Sequence, residues 1–218
     1  MMVMHGERDT LGATVELMAL HTRAVARGAP EKLIVADFPF LAARKGAAYA
    51  LDCAAQLMRA GAHAVKIEGI RGHADVIRHL VESGIPVMGH LGLQPQSVHA
   101  LGGYVVQGRD EQESERLRED AAAAEEAGAF ALVLECIPGK LAREISATLK
   151  IPTIGIGAGA DCDGQVLVLH DLLGLNPDFK ARFVRHFAAG AELVQTGVGR
   201  FATEVRASKF PSPKETFK

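Results

Sequence analysis

The sequence predicts an α/β protein built as a (β/α)8 barrel, the TIM-type architecture. Short apolar segments alternate with longer amphipathic segments along most of the chain, as in a parallel sheet with crossover helices. Acidic residues, a histidine and a glycine-rich turn fall where the short segments end. Active sites lie at the carboxyl ends of strands in barrels and in open doubly wound sheets. Because no early GxGxxG turn follows a first strand, dinucleotide binding is disfavoured and the barrel is preferred.

Each predicted element follows from its local pattern. Apolar, often β-branched runs predict strands over residues 33–39, 64–69, 86–93, 130–136, 152–159 and 165–170. Helical spacing of apolar residues, or a proline in the first turn, predicts helices over about residues 14–27, 46–60, 72–83, 110–127, from 138 onward, and through a long C-terminal region at about 178–207. Because no Pro/Gly/Ser-rich linker divides the chain, we expect residues 1–218 to form a single barrel domain.

The number of strands does not complete the predicted barrel. Six candidate strands are found in the sequence, whereas a closed barrel of this class has eight, usually in about 250 residues. An open arc would leave two unpaired edges, which soluble proteins avoid. Either strands have escaped detection or the chain begins late. Since residues 1–12 carry no predicted element, we expect the first two strands and the first helix of the barrel to be missing from this chain.

Composition narrows the class of protein. The chain has 218 residues, is 48% hydrophobic and 23% charged, and carries a formal net charge of -2, so it can bury a sizeable core and has no basic field for nucleic acid or anionic membranes. We find no apolar run long enough to span a bilayer and no signal-peptide pattern. The three cysteines lack metal-ligand spacing. We therefore expect a soluble, enzyme-like domain with reduced thiols in the cytoplasm.

The second predicted strand, Ala64–Gly69, carries two charges on one face. Lys66 and Glu68 are two residues apart and therefore point the same way. Such charges in a covered strand are costly unless they are paired or bind a ligand. A structural Lys–Glu pair and a strand end emerging into water are the two alternatives to a functional site. The functional interpretation gains weight because polar residues recur at the ends of neighbouring strands, at Asp37, His90 and Glu135.

Seven motifs together resemble one enzyme family. They occur in the order LIVADFPF, AVKIEG, GHLGLQPQSV, GGYVVQGR, LVLECIP, IPTIGIGAG and DGQVLVLHD. In this order and spacing the chain, from about Val3 to Asp171, resembles ketopantoate hydroxymethyltransferase. The resemblance implies a (β/α)8 barrel that forms large homo-oligomers, a decamer in the family. It also implies Mg²⁺ as cofactor and transfer of a hydroxymethyl group from 5,10-methylenetetrahydrofolate to 3-methyl-2-oxobutanoate, giving 2-dehydropantoate in pantothenate biosynthesis.

The resemblance also implies roles for individual residues. Asp37 and Glu68 match metal-coordinating acids, and Asp37 also lies against the bound keto acid. Lys66 matches a lysine that contacts the substrate, and Glu135 matches the general base. His90 would hydrogen-bond the substrate or be an ordinary satisfied polar group, and the second interpretation is at least equally supported.

These residue types suit the implied chemistry. Mg²⁺ is bound by few carboxylates with several waters, and such a cation can stabilise an enolate formed from a 2-oxo acid. A carboxylate that removes a carbon-bound proton needs partial desolvation and a raised pKa, and the apolar residues before Glu135 are consistent with that. Structural alternatives stay open for these acids. Of Asp37 and Glu68, one could cap the next helix while the other pairs with Lys66. Glu135 could be stabilised by the dipole of the helix that begins at Pro138.

The chain also departs from the family pattern. The family's second strand ends in a Gly-Asp-Ser-Leu-Gly motif, whose aspartate is a third metal-coordinating acid, and that motif is not found here. Two other functions therefore remain open at this point. One is a barrel lyase of the phosphoenolpyruvate/isocitrate-lyase type, against which the sequence offers no reactive cysteine loop. The other is an inactive, truncated relative.

Overall fold

A computed structural model describes residues 2–217 and contains one parallel sheet of six strands in the order β1-β2-β3-β4-β5-β6. The strands are β1 (Val35–Asp37), β2 (Ala64–Glu68), β3 (Val87–Gly92), β4 (Ala131–Glu135), β5 (Thr153–Ile156) and β6 (Gly164–Gln165). The α-helices of the described residues are α1 (Met2–His5), α2 (Val15–Gly28), α3 (Ala47–Arg59), α4 (Ala74–Glu82), α5 (Glu111–Glu126), α6 (Gly139–Thr148), α7 (Leu169–Leu172) and α8 (Gly190–Arg206). Short 3-10 helices cover Ala42–Arg44 and Pro95–Ser97.

The strand order confirms the predicted fold class. Every pairing in the sheet is parallel and joins strands that are consecutive in the sequence. A doubly wound sheet would instead reverse its strand order at a switch point. Consecutive parallel strands with intervening helices form the repeating unit of the (β/α)8 barrel.

The chain divides into two compact units, residues 1–166 and 167–218. The first unit carries all six strands and helices α1 to α6, and the second carries α7 and α8. In residues 2–217, no helix combines the length and apolar character needed to cross a membrane. Cys53 and Cys136 are buried and Cys162 is half-buried, and all three are free thiols.

The core of the first unit follows directly from the apolar patterns. Leu132 and Leu134 of β4 are fully buried, and α4 packs Val76, Ile77 and Leu80 inward at helical spacing. Burying a side chain of this size contributes about 1.5–3 kcal/mol relative to leaving it exposed. The sheet is therefore held in place by its central strands and the helices that cover them.

The last predicted strand is mostly wrong. The structure has strand only at Gly164–Gln165, and α7 begins at Leu169, inside the predicted segment 165–170. The amide of Leu172 donates to the carbonyl of Val168, as in a helical turn. Val166 and Val168 are about half exposed, so the β-branched residues that suggested a strand are not buried in the sheet.

The predicted C-terminal helix over about 178–207 begins later than expected. The structure has helix only from Gly190 to Arg206, with turns and bends before it. The amides of Phe187 and Gly190 donate to the carbonyls of Leu172 and Leu173. These amides are therefore bonded to the end of α7 and not to a preceding helical turn, which explains the late start.

Candidate active site

The predicted site residues converge at the carboxyl edge of the sheet. In the strand register Asp37 lies beside Lys66, and Glu68 lies beside His90. Glu135, at the end of β4, lies beside Gly92. The alternation of side chains along β2 leaves Lys66 and Glu68 partly exposed while their neighbours are buried, as the sequence predicted.

Lys66 contacts two of the other site residues. Its Nζ lies 3.0 Å from Asp37 Oδ1 and 3.2 Å from His90 Nδ1. Burial by itself lowers the pKa of Lys66, but the negative charges of Asp37 and the two glutamates outweigh it and the pKa is raised. Lys66 is therefore a fixed ammonium group among carboxylates.

His90 is buried and neutral. Burial, followed by the charge of Lys66, holds the pKa of His90 well below its ordinary value. Because the ammonium can only donate, Nδ1 accepts from Lys66 and the ring proton is assigned to Nε2. Nε2 lies 3.0 Å from Glu135 Oε2, yet among the described residues it has no hydrogen-bonded partner. The two atoms are therefore close, but the Nε2–H bond does not point at the carboxylate oxygen. The Glu135 carboxylate remains free to accept another proton.

Glu68 is oriented by the chain that follows β3. The backbone amide of Gln96 donates to Glu68 Oε2 at 3.0 Å, and the Gln96 side-chain amide donates to the carbonyl of Phe38 at 2.7 Å. Burial raises the pKa of Glu68 to about 7, opposed by Lys66 and the Gln96 amide. Sequence reasoning missed Gln96, whose only signal was a polar residue soon after the end of a strand.

Glu135 is a partly desolvated carboxylate. Its side chain is 15% exposed, and burial raises its pKa to about 7 against the opposing charge of Lys66. The next residue, Cys136, has a left-handed backbone at φ 49°, and its amide donates to the carbonyl of Ile156. The chain thus turns sharply after β4, so that Glu135 is the last side chain of this strand on the site.

One structural alternative for these acids is present in the structure. Lys66 forms an ion pair with Asp37, one of the two acids that the resemblance assigns to the metal, and not with Glu68. Helix α6 has Pro138 at its N-cap and no side-chain capping bond, so any stabilisation of Glu135 by this helix comes from the helix dipole and not from a capping bond. The ionisable groups at these strand ends are therefore clustered, and the Asp37–Lys66 pair is part of the cluster.

Comparison with known proteins identifies the family of this chain. The family model described as ketopantoate hydroxymethyltransferase matches residues 1–213. The chain belongs to the ketopantoate hydroxymethyltransferase family. A relative from Bdellovibrio bacteriovorus, named 3-methyl-2-oxobutanoate hydroxymethyltransferase, is 52% identical over 99% of this chain and 82% of its own length. A relative of the same name from Paracoccus denitrificans is 50% identical over 99% of this chain and 79% of its own length.

A solved structure supports the fold independently. Phosphonopyruvate hydrolase aligns with 100% of this chain and 75% of its own, with a TM-score of 0.56 and 14% identity. At this identity the likeness concerns the fold alone. The family membership does not favour the lyase alternative raised by the sequence.

The carboxylate oxygens at this site fit a hard cation that keeps several of its water ligands. Among residues 2–217, no group of three His, Cys, Asp or Glu side chains is arranged as a complete metal site. Mg²⁺ commonly uses only one or two protein carboxylates and fills the remaining positions with water and substrate. Asp37 and Glu68, at the ends of adjacent strands, could supply two such carboxylates. With Glu135 they outnumber the single ammonium of Lys66, and this excess negative charge favours a cation.

Proposed function

We propose that this chain transfers a hydroxymethyl group to 3-methyl-2-oxobutanoate, the activity named for its relatives, with Glu135 as the base that removes the proton from C3. The carboxylate of Glu135, with its pKa raised to about 7 beside a fixed ammonium, is the observation that carries the proposal. A base of this pKa is half ionised near neutral pH and is basic enough to accept a carbon-bound proton. The one-carbon donor in the proposal is 5,10-methylenetetrahydrofolate, as the family resemblance implies.

Each charged side chain has a place in the proposed reaction. Lys66 attracts the negative charge that develops when C3 loses its proton, and this attraction is strongest where water is excluded. Asp37 and Glu68 would hold Mg²⁺, which supplies Lewis-acid stabilisation of negative charge on the 2-oxo group when bound. His90 holds the Lys66 ammonium through Nδ1, and its buried Nε2–H lies 3.0 Å from Glu135 Oε2.

Exchange of the C3 proton of 3-methyl-2-oxobutanoate for deuterium, followed by NMR, tests the proposal without folate. We expect exchange with Mg²⁺ and its loss on chelation. The rate should fall as pH drops through about 7, because the base acts only when deprotonated and its pKa lies there. A folded chain that binds the acid but shows no exchange at pH 8 would contradict the proposal and favour an inactive relative.

We further propose that the chain forms homo-oligomers in the cytoplasm. Helix α8 has no buried residue, and Leu193, Val198 and Phe201 are each more than half exposed. An amphipathic helix with its apolar face exposed is typical of a surface that binds another chain. The free cysteines are consistent with a reducing compartment. Sedimentation velocity at micromolar concentration should show an assembly larger than one chain, and a monomer would contradict the proposal.

A further inference from the structure

The β3–α5 loop, residues 93–110, is hydrogen-bonded to the site near both of its ends. Near its start, the amide of Gln96 donates to the Glu68 carboxylate. Near its end, the amide of Gln107 donates to the carbonyl of Cys136 at 3.0 Å, directly after Glu135. The segment between these attachments, residues 97–106, therefore runs from one proposed functional acid to the other.

The tip of this loop is apolar and exposed. Tyr104, Val105 and Val106 are 51%, 44% and 37% exposed. Burial, followed by the charges of Asp9, Glu135 and Glu68, raises the pKa of the Tyr104 hydroxyl. When consecutive exposed apolar side chains cover an apolar group of a ligand, the burial of both surfaces stabilises the complex.

The backbone of the loop is free on one side of the tip and packed on the other. Gly102 and Gly103 have φ of +73° and +120°, and nothing lies within 4 Å of the position of a Cβ on either. Gly108 also has positive φ, but a Cβ there would lie 2.7 Å from Leu141 and 2.8 Å from Leu117. Movement of the tip would therefore turn about the two open glycines while the far end stays fixed.

We propose that residues 102–106 close over the bound 2-oxo acid, with the apolar tip that contains Tyr104 against the acid's branched alkyl group. This inference rests on the proposed function. Closure excludes water from the reacting carbon, and the apolar tip selects a 2-oxo acid with an apolar side chain over one with a charged side chain. Tyr104 is thus a positioning and selectivity residue, and Glu135 alone takes the proton.

The composition of the chain allows closure to be observed directly. The protein has no tryptophan and two tyrosines, Tyr49 and Tyr104. In a Tyr49→Phe variant labelled with 3-fluorotyrosine, Tyr104 gives the single ¹⁹F NMR signal. We expect this signal to shift when 3-methyl-2-oxobutanoate and Mg²⁺ are added, saturating at the concentration at which calorimetry shows binding. The matched Tyr104→Phe variant, which reports Tyr49 alone, should show no shift.

A second variant tests selectivity. Tyr104→Ala should lower kcat for C3 exchange about 10-fold to 100-fold and reduce the preference for 3-methyl-2-oxobutanoate over 2-oxoglutarate, while Tyr104→Phe retains most of both. Binding by calorimetry without a shift of the Tyr104 signal would overturn loop closure and leave the proposed function standing. No binding of the 2-oxo acid to the folded chain would overturn both. An equal loss of kcat for both acids in Tyr104→Ala would overturn the selectivity role.

Discussion

Glu135→Gln is expected to reduce C3 deuterium exchange about 10²-fold to 10⁴-fold, the contribution typical of a general base. The amide has nearly the same shape as the carboxylate but cannot accept the proton. Affinity for 3-methyl-2-oxobutanoate should change little, since Lys66, Asp37 and Glu68 are retained. NMR exchange rates and calorimetric titration of the same preparation measure the two quantities.

The Glu135→Gln variant is also expected to change the free energy of unfolding. Burial raises the pKa of Glu135 to about 7 in the folded chain, against 4.5 as the ordinary value. Between these two pH values the folded state therefore binds more protons than the unfolded state. The ionised Glu135 lowers the free energy of unfolding, and this loss increases as pH rises from about 4.5 to 7. At pH 8, without metal, Glu135→Gln should increase the free energy of unfolding, on the order of 1–3 kcal/mol.

A matched control separates this effect from a general change of charge. Glu31 is exposed and has no hydrogen bond or ion pair among the described contacts. Glu31→Gln should alter neither exchange nor stability by more than about 0.5 kcal/mol. Full exchange in a folded Glu135→Gln variant would rule out Glu135 as the base.

The part of the site that the sequence predicted consists of side chains fixed by strand geometry. Lys66 and Glu68 had to share a face because strand side chains alternate, and the carboxyl ends of parallel strands had to meet at one edge. Asp37, His90 and Glu135 were found by the same argument. Their chemical roles were a different matter, because these came from the family resemblance and not from position alone.

The parts that the sequence did not predict depend on loops and long-range contacts. Gln96 binds Glu68 across 28 positions of sequence separation, through a backbone amide that any residue type could provide. The last strand was mistaken because Val166 and Val168 have β-branched side chains but are not covered by the sheet. The type of a side chain indicates a local preference for helix or strand, whereas tertiary contacts determine which structure forms.

Gly92 has the largest expected effect among residues that carry no reactive group. It ends β3 with φ +89°, and a Cβ there would overlap the backbone carbonyl oxygen of Glu135 and lie 2.7 Å from Ile137 Cγ2. That carbonyl also accepts the amide of Leu93 at 2.8 Å. The absence of a side chain at Gly92 therefore allows β3 and β4 to approach at the point where Glu135 enters the site.

Gly92→Ala is accordingly expected to lower the free energy of unfolding by more than about 3 kcal/mol, since backbone strain and a clash with rigid backbone add together. Gly84→Ala is the matched control, because Gly84 has φ +84° but nothing within 4 Å of a Cβ position. It should lose only about 1–2 kcal/mol, the cost of a left-handed backbone. Urea denaturation of the three proteins measures the difference. Equal losses in the two variants would show that conformational strain alone explains Gly92, and that its contact with Glu135 does not help to hold the base in place.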